Sequence, residues 1–166
     1  MVSVPVWAVV LCILLVVLAF VGLIASATAT RLNRMHIRTD LARSALEAAL
    51  GRRAAIARAT YPELAEMTTK AEALRLTADD PFARVDAENQ LTAQLTQLVE
   101  KQCPEPALAI ELHDAYTRVE LARRFYNDAV TDTRALRRQP FVKYLRLAGT
   151  APVPEYVDMF VASQSD

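Results

Sequence analysis

The chain has 166 residues, 53% of them hydrophobic, and its 19 basic and 19 acidic side chains cancel. That length admits one domain plus an anchor, not two full-sized domains. Zero net charge excludes a generic basic nucleic-acid binder, three Gly exclude glycine-rich phosphate loops, and two Cys, at 12 and 103, cannot frame a disulfide-stapled fold.

The apolar excess sits at one end. Residues 1–30 carry no charged side chain, and Val6 to Ala25 are twenty residues of almost unbroken Val, Leu, Ala, Ile and Phe. As a helix rising 1.5 Å per residue that run spans roughly 30 Å, the thickness of a bilayer's hydrocarbon core. Pro5 suits a helix start, and Trp7 falls where an interfacial ring settles. Ala25-Ser26-Ala27 resembles a signal-peptide cleavage site, the competing reading, but no Lys or Arg precedes the apolar run and the run is long for a signal peptide. Arg31, Arg34, Arg38 and Arg43 follow the span directly. The positive-inside rule therefore predicts a single-pass membrane protein with its N-terminus outside and the remaining chain in the cytoplasm.

Residues 28–138 read as helix almost throughout. Leu32, Met35, Thr39, Ala42, Leu46, Ala49 and Ile56 keep helical spacing, interrupted by Arg53, so the anchor is expected to run on as one rod. Tyr61-Pro62 ends or kinks it, and Thr60 is placed to cap a second segment bearing Leu64, Met67, Ala71 and Leu74. Asp79-Asp80-Pro81 restarts a third helix with Val85, Leu91, Leu95, Leu98 and Gln102 on one face. After Cys103-Pro104-Glu105-Pro106, a fourth helix carries Leu108, Leu112, Ala115, Val119, Ala122, Tyr126, Ala129, Thr133 and Leu136 at steps of four and three, a heptad seam ending at Pro140. No period-two run signals a strand.

The expected fold is all-α: a single transmembrane helix continuing into an antiparallel four-helix up-down bundle. Residues 1–30 form the anchor, 31–140 the bundle, and 141–166 a C-terminal amphipathic segment and extended tail. Charge is segregated along this frame: net +5 over 31–58, −7 over 59–120, +5 over 121–147 and −3 beyond. An up-down topology returns the second basic block to the membrane, where Arg31, Arg34, Arg38, Arg137, Arg138, Lys143 and Arg146 would meet anionic lipid. The bland reading is that long helices alternate charge blocks.

Chemistry finds little purchase. The His and Cys residues, at 36, 113, 12 and 103, lack metal-ligand spacing; Glu-x-x-His, needed for a di-iron bundle, is absent. His113-Asp114 reads as a solvated pair, Glu63 and Glu66 as helix-start charges. No catalytic, metal or cofactor-binding residue and no small-molecule substrate is expected.

Ala87-Glu88-Asn89-Gln90-Leu91, followed by Leu95 and Leu98, resembles the third-helix signature of LemA-like proteins. The run Glu120 to Val130, with Arg123, Tyr126 and Asn127, is similar to that family's last-helix Arg-x-x-Tyr-Asn-x-x-Val pattern, and Arg52-Arg53 match the Arg-Arg pair of its first helix more weakly. The chain departs from the family where Ala54-Ala55-Ile56-Ala57 replaces an Asp-Leu-Ile-Pro-Asn-type run, and the connection from Cys103 to Leu112 is shortened. The resemblance covers nearly the whole chain; it implies a four-helix cytoplasmic bundle on one anchor and carries over no active site. On physical grounds Tyr126 belongs in the seam with its hydroxyl bonded, with Asn127 and Arg123 serving a neighbouring helix or a docking surface.

The function expected is that of a non-catalytic accessory or scaffold subunit of a membrane complex, binding through its transmembrane helix, bundle face and tail. Sixteen Arg against three Lys point to a GC-rich genome, as in Actinobacteria. There the resemblance implies, as partner, the respiratory cytochrome bcc–cytochrome oxidase supercomplex. Tyr156, Val157, Met159 and Phe160 are costly to expose together, so the tail is expected to dock on that partner. The alternatives are a membrane-anchored signalling or adaptor module and an anionic-lipid-binding module.

Overall fold

A computed structural model describes residues 5–77, 80–145, 148–149 and 152–159. Five α-helices, α1 Val6–Thr60, α2 Ala65–Ala73, α3 Phe82–Lys101, α4 Pro106–Arg138 and α5 Pro140–Tyr144, follow one another with a 3-10 turn at Pro62–Leu64, and the described residues contain no strand. The all-α reading stands.

The rod anticipated from the sequence is one uninterrupted helix. α1 is 55 residues long, about 80 Å at the helical rise, because nothing between Pro5 and Pro62 removes a backbone donor. Its apolar first half is covered by no other described residue and is long and apolar enough to cross a membrane, a property a signal sequence shares. Burial begins abruptly at Leu32 and then follows Thr39, Leu46, Leu50, Arg53, Ala54 and Ala57.

That stripe meets α4, which runs antiparallel to it. Leu32 packs with Leu136, the Thr39 and Thr133 hydroxyls lie 3.0 Å apart, and Ala57 shares a cluster with Leu112. Seven of the nine α4 seam positions are buried, at Leu112, Ala115, Val119, Tyr126, Ala129, Thr133 and Leu136, while Leu108 and Ala122 are half-buried. α2 and α3 cover only the half of this pair remote from the apolar stretch. α2 turns back along α1, with Arg58 bonded to Glu72 at 2.8 Å and the Leu76 amide donating to Glu47 at 2.9 Å. α3 then runs with α1, burying Leu91 and Leu95 against Ala57, Tyr61 and Leu64, while the Tyr61 hydroxyl donates to the Gln102 carbonyl at 2.8 Å.

Several local expectations are corrected. Thr60 caps nothing ahead of it; its hydroxyl donates back to the Ile56 carbonyl at 2.9 Å, and α1 ends at Tyr61 because Pro62 follows. α3 begins at Phe82 with Pro81 at its N-cap rather than at its first position; the Phe82 amide finds Asp80 Oδ1 at 3.3 Å, and Asp79 lies outside the described residues. Beyond Pro140 a short helix, α5, buries Val142 against Leu32 and Leu136.

Candidate functional site

Two groups of polar side chains are built into the interior. The first is Arg53, Arg84 and Glu88, at 3%, 5% and 0% exposure. Helical spacing puts Arg84 and Glu88 one turn apart on the inner face of α3, and Arg53 faces them from the α1 stripe. Arg53 Nη2 lies 2.5 Å from Glu88 Oε2, and Arg84 Nη2 lies 2.6 Å from Oε1. The second contact is ionic rather than an aligned hydrogen bond, since Oε1 has no aligned donor. Arg84 Nη1 also donates to the carbonyls of Ala71 and of Leu74, the latter at 2.9 Å, so it closes the C-terminal end of α2, where helix carbonyls lack internal partners. The Arg53 guanidinium rests 5.3 Å from the centre of the Tyr116 ring on α4. Burial pushes the Tyr116 hydroxyl pKa up, opposed by the Arg53 charge. Four helices thus meet at one carboxylate held between two guanidiniums. Arg53 does not merely interrupt the apolar seam; it is a member of the core.

The second group gathers the residues of the last-helix motif around the tail. Residues 152–159 lie along α4 without regular secondary structure, and side chains of α4 hold their backbone. Arg137 Nη1 donates to the Pro152 carbonyl and Arg134 Nε to that of Pro154, each at 2.7 Å; the Tyr126 hydroxyl donates to that of Glu155 at 3.0 Å. The Asn127 amide binds Val157 at both backbone groups: Nδ2 donates to its carbonyl at 2.9 Å, and its N–H donates to Oδ1 at 3.0 Å. Arg134 also pairs with Glu155 at 2.6 Å and stacks 4.7 Å from the Tyr156 ring centre. Burial raises the Tyr126 pKa, with the Arg43 and Arg134 charges opposing.

These contacts change the reading of the tail. Val157 and Met159 belong to the core cluster of Leu46, Leu50, Tyr126 and Val130, so their apolar surface is covered by the chain itself and is not presented to a partner. Of the four tail residues singled out from the sequence, Tyr156 is 42% exposed and Phe160 lies outside the described residues. Asn127 likewise serves the tail, not a neighbouring helix.

Arg123 lies beside this clamp. It grips Glu120 with two hydrogen bonds, Nε to Oε2 at 3.0 Å and Nη2 to Oε1 at 2.9 Å, and Arg124 adds a third at 2.7 Å. The Arg123 bonds, with help from Arg124 and against partial burial, hold the Glu120 pKa below its ordinary 4.5. A lowered carboxylate pKa stabilises the fold above 4.5, and that contribution is lost as pH falls through the lower, folded-state value. Urea unfolding is therefore expected to show a midpoint that drops on acidification below pH 4.5, and Glu120→Gln should flatten part of that drop while lowering stability at pH 7 slightly. An unchanged acid slope in the variant would assign it to other carboxylates.

Of the basic residues expected at the membrane, Arg31, Arg34, Arg38, Arg138 and Lys143 are exposed. Arg38 reaches across to Asp132 on α4 at 2.9 Å, and Arg137 is engaged by the tail. Arg146 lies outside the described residues. Both cysteines are free, and the described residues hold no cluster of three potential metal ligands. Comparison with protein-family models, curated proteins and solved structures finds no match to this chain.

Proposed function

We propose that the chain is a non-catalytic accessory or scaffold subunit of a multi-subunit plasma-membrane complex. Its helices form an antiparallel four-helix up-down bundle of LemA type, standing in the cytoplasm on a single N-terminal anchor. The observation that carries this reading is the stretch of α1 before Leu32, an apolar surface that no other described residue covers, continuous with a domain whose two inner polar groups, around Glu88 and around Asn127, bond within the chain. Such a chain offers surfaces rather than a reacting group: the apolar stem to other membrane helices, and the bundle faces to a cytoplasmic partner. Because Val157 and Met159 are already covered, the tail's contribution narrows to Tyr156 and its neighbours. The respiratory cytochrome bcc–cytochrome oxidase supercomplex is the partner we infer.

Purification in mild detergent through a tag after Asp166 should recover membrane proteins in fixed stoichiometry with the chain. Recovery as a monomer or homo-oligomer alone would overturn the subunit reading. Anchor and orientation have their own test. Protease added to intact cells should leave the domain uncut and should cut it in inverted vesicles, whereas a mature N-terminus near Thr28 would identify a removed signal sequence.

A further inference from the structure

We infer that the end of the domain next to the apolar stretch contains a discrete site for a phosphate ester, supplied by the headgroup of an anionic phospholipid. This rests on the reading of Val6 to Ala25 as a membrane span. A cleft of about 560 Å³ opens between the last turn of α4, α5 and the docked tail. Its cations are Arg134, Arg137, Arg138 and Lys143, and Val142, Ala148 and Val153 supply apolar wall.

Two observations give this cleft its ligand. The first is charge. Arg134 and Arg137 are held by tail carbonyls and by Glu155, but Arg138 and Lys143 are exposed and have no ion-pair partner among the described residues. The carbonyl end of α4 adds partial negative charge of its own, so these two side chains, with Arg137 behind them, are what makes the cleft attract an anion. Asp132, the nearest acid on α4, is engaged with Arg38 on α1.

The second is depth. Val142 packs against Leu32, which lies seven residues beyond Ala25, the end of the bilayer-thick apolar run. That is about 10 Å of helix rise past the hydrocarbon core. The headgroup layer occupies roughly 5–8 Å on each side of that core, so the cleft opens at its outer edge, within reach of the long Arg138 and Lys143 side chains. Tyr144, 91% exposed on the same short helix as Lys143, is the aromatic type that settles at that boundary. One wall, Val153, belongs to the tail, so the site is complete only when the tail is docked.

The test uses the full chain in a neutral detergent, with native mass spectrometry and titration of phosphatidylglycerol, phosphatidylcholine and glycerol 3-phosphate. Phosphatidylglycerol should add one tightly held lipid that phosphatidylcholine does not replace. Arg138→Gln with Lys143→Gln should weaken it about thirtyfold, each cation near an anionic surface being worth about fivefold. Arg31→Gln with Arg34→Gln should leave that single lipid in place. Saturable binding of glycerol 3-phosphate that matches the lipid and is lost in the same double variant supports the phosphate site and makes the ester a soluble one. Equal retention of the two lipids, or undiminished phosphatidylglycerol binding in the Arg138/Lys143 variant, overturns the proposal. Either outcome is independent of the protease test, which alone decides whether the anchor reading stands.

Discussion

Replacing Glu88 with alanine should lower the unfolding free energy by about 3–5 kcal/mol, the cost of leaving buried charge without its counter-ion. The substitution strands two guanidiniums at once, in a place where neither can rotate to water: Arg53 is 3% exposed and Arg84 5%. Arg84 keeps the carbonyls at the end of α2 and Arg53 keeps the Tyr116 ring, but neither partner is an anion. The charge count makes the effect asymmetric. Arg53→Met removes one of two cations and leaves Glu88 balanced by Arg84, so it should cost clearly less than Glu88→Ala, although it deletes the larger side chain. Urea unfolding of the full chain in micelles, followed by helix signal, measures both. Equal losses in the two variants would show that packing volume, not charge balance, sets the stability of this cluster.

Asn127→Ala should release the tail and cost about 2–6 kcal/mol. The Asn127 amide satisfies both backbone groups of Val157, and a buried peptide group left unpaired costs about 1–3 kcal/mol. The upper limit is set by complete undocking, which returns those groups to water but uncovers Val157 and Met159, each worth about 1.5–3 kcal/mol of burial. Asn127→Asp discriminates further. It keeps an acceptor for the Val157 amide but turns lone pairs toward the Val157 carbonyl, and should be no milder than alanine. Hydrogen exchange is the direct readout, because the Val157 amide should lose its protection in both variants while α4 amides keep theirs. Retained protection at Val157 would mean that the apolar contacts alone seat the tail.

Periodicity makes the helices legible. The spacing of Leu112, Ala115, Val119, Tyr126, Ala129, Thr133 and Leu136 fixes which face of α4 is buried, since a 3.6-residue helix leaves no other stripe. The continuity of α1 follows from the absence of Pro between Pro5 and Pro62. The two polar clusters are much less visible. Arg53 stands out only as a fault in an apolar pattern; Arg84 gives no signal, and Glu88 shows only as part of a short motif. The first depends on four helices meeting and the second on α4 meeting the tail, and pairing across elements leaves no trace in local spacing. An Arg and a Glu four residues apart on one inner face, as at 84 and 88, is the available clue.

The tail shows the same limit from the other side. Its apolar residues are too costly to leave in water, but composition does not say whether a partner or the chain itself covers them. Asn127 and Arg134 decide it, and both bind backbone carbonyls, which every residue carries. Recognition of that kind is invisible in the sequence of the segment being recognised. The short α5 is obscured for a related reason: Pro140 signals an end to α4 and an equally good beginning to another helix.

The unbroken course of α1 leaves the joint between stem and domain without a swivel. In a bilayer, a tilt of about 20° would swing Thr60 sideways by roughly 20 Å, because some ~66 Å of rigid helix lie beyond the midplane. Whatever grips the stem therefore sets the attitude of the distal faces, and a neighbour that changes its own lean would carry those faces with it like the hand of a gauge.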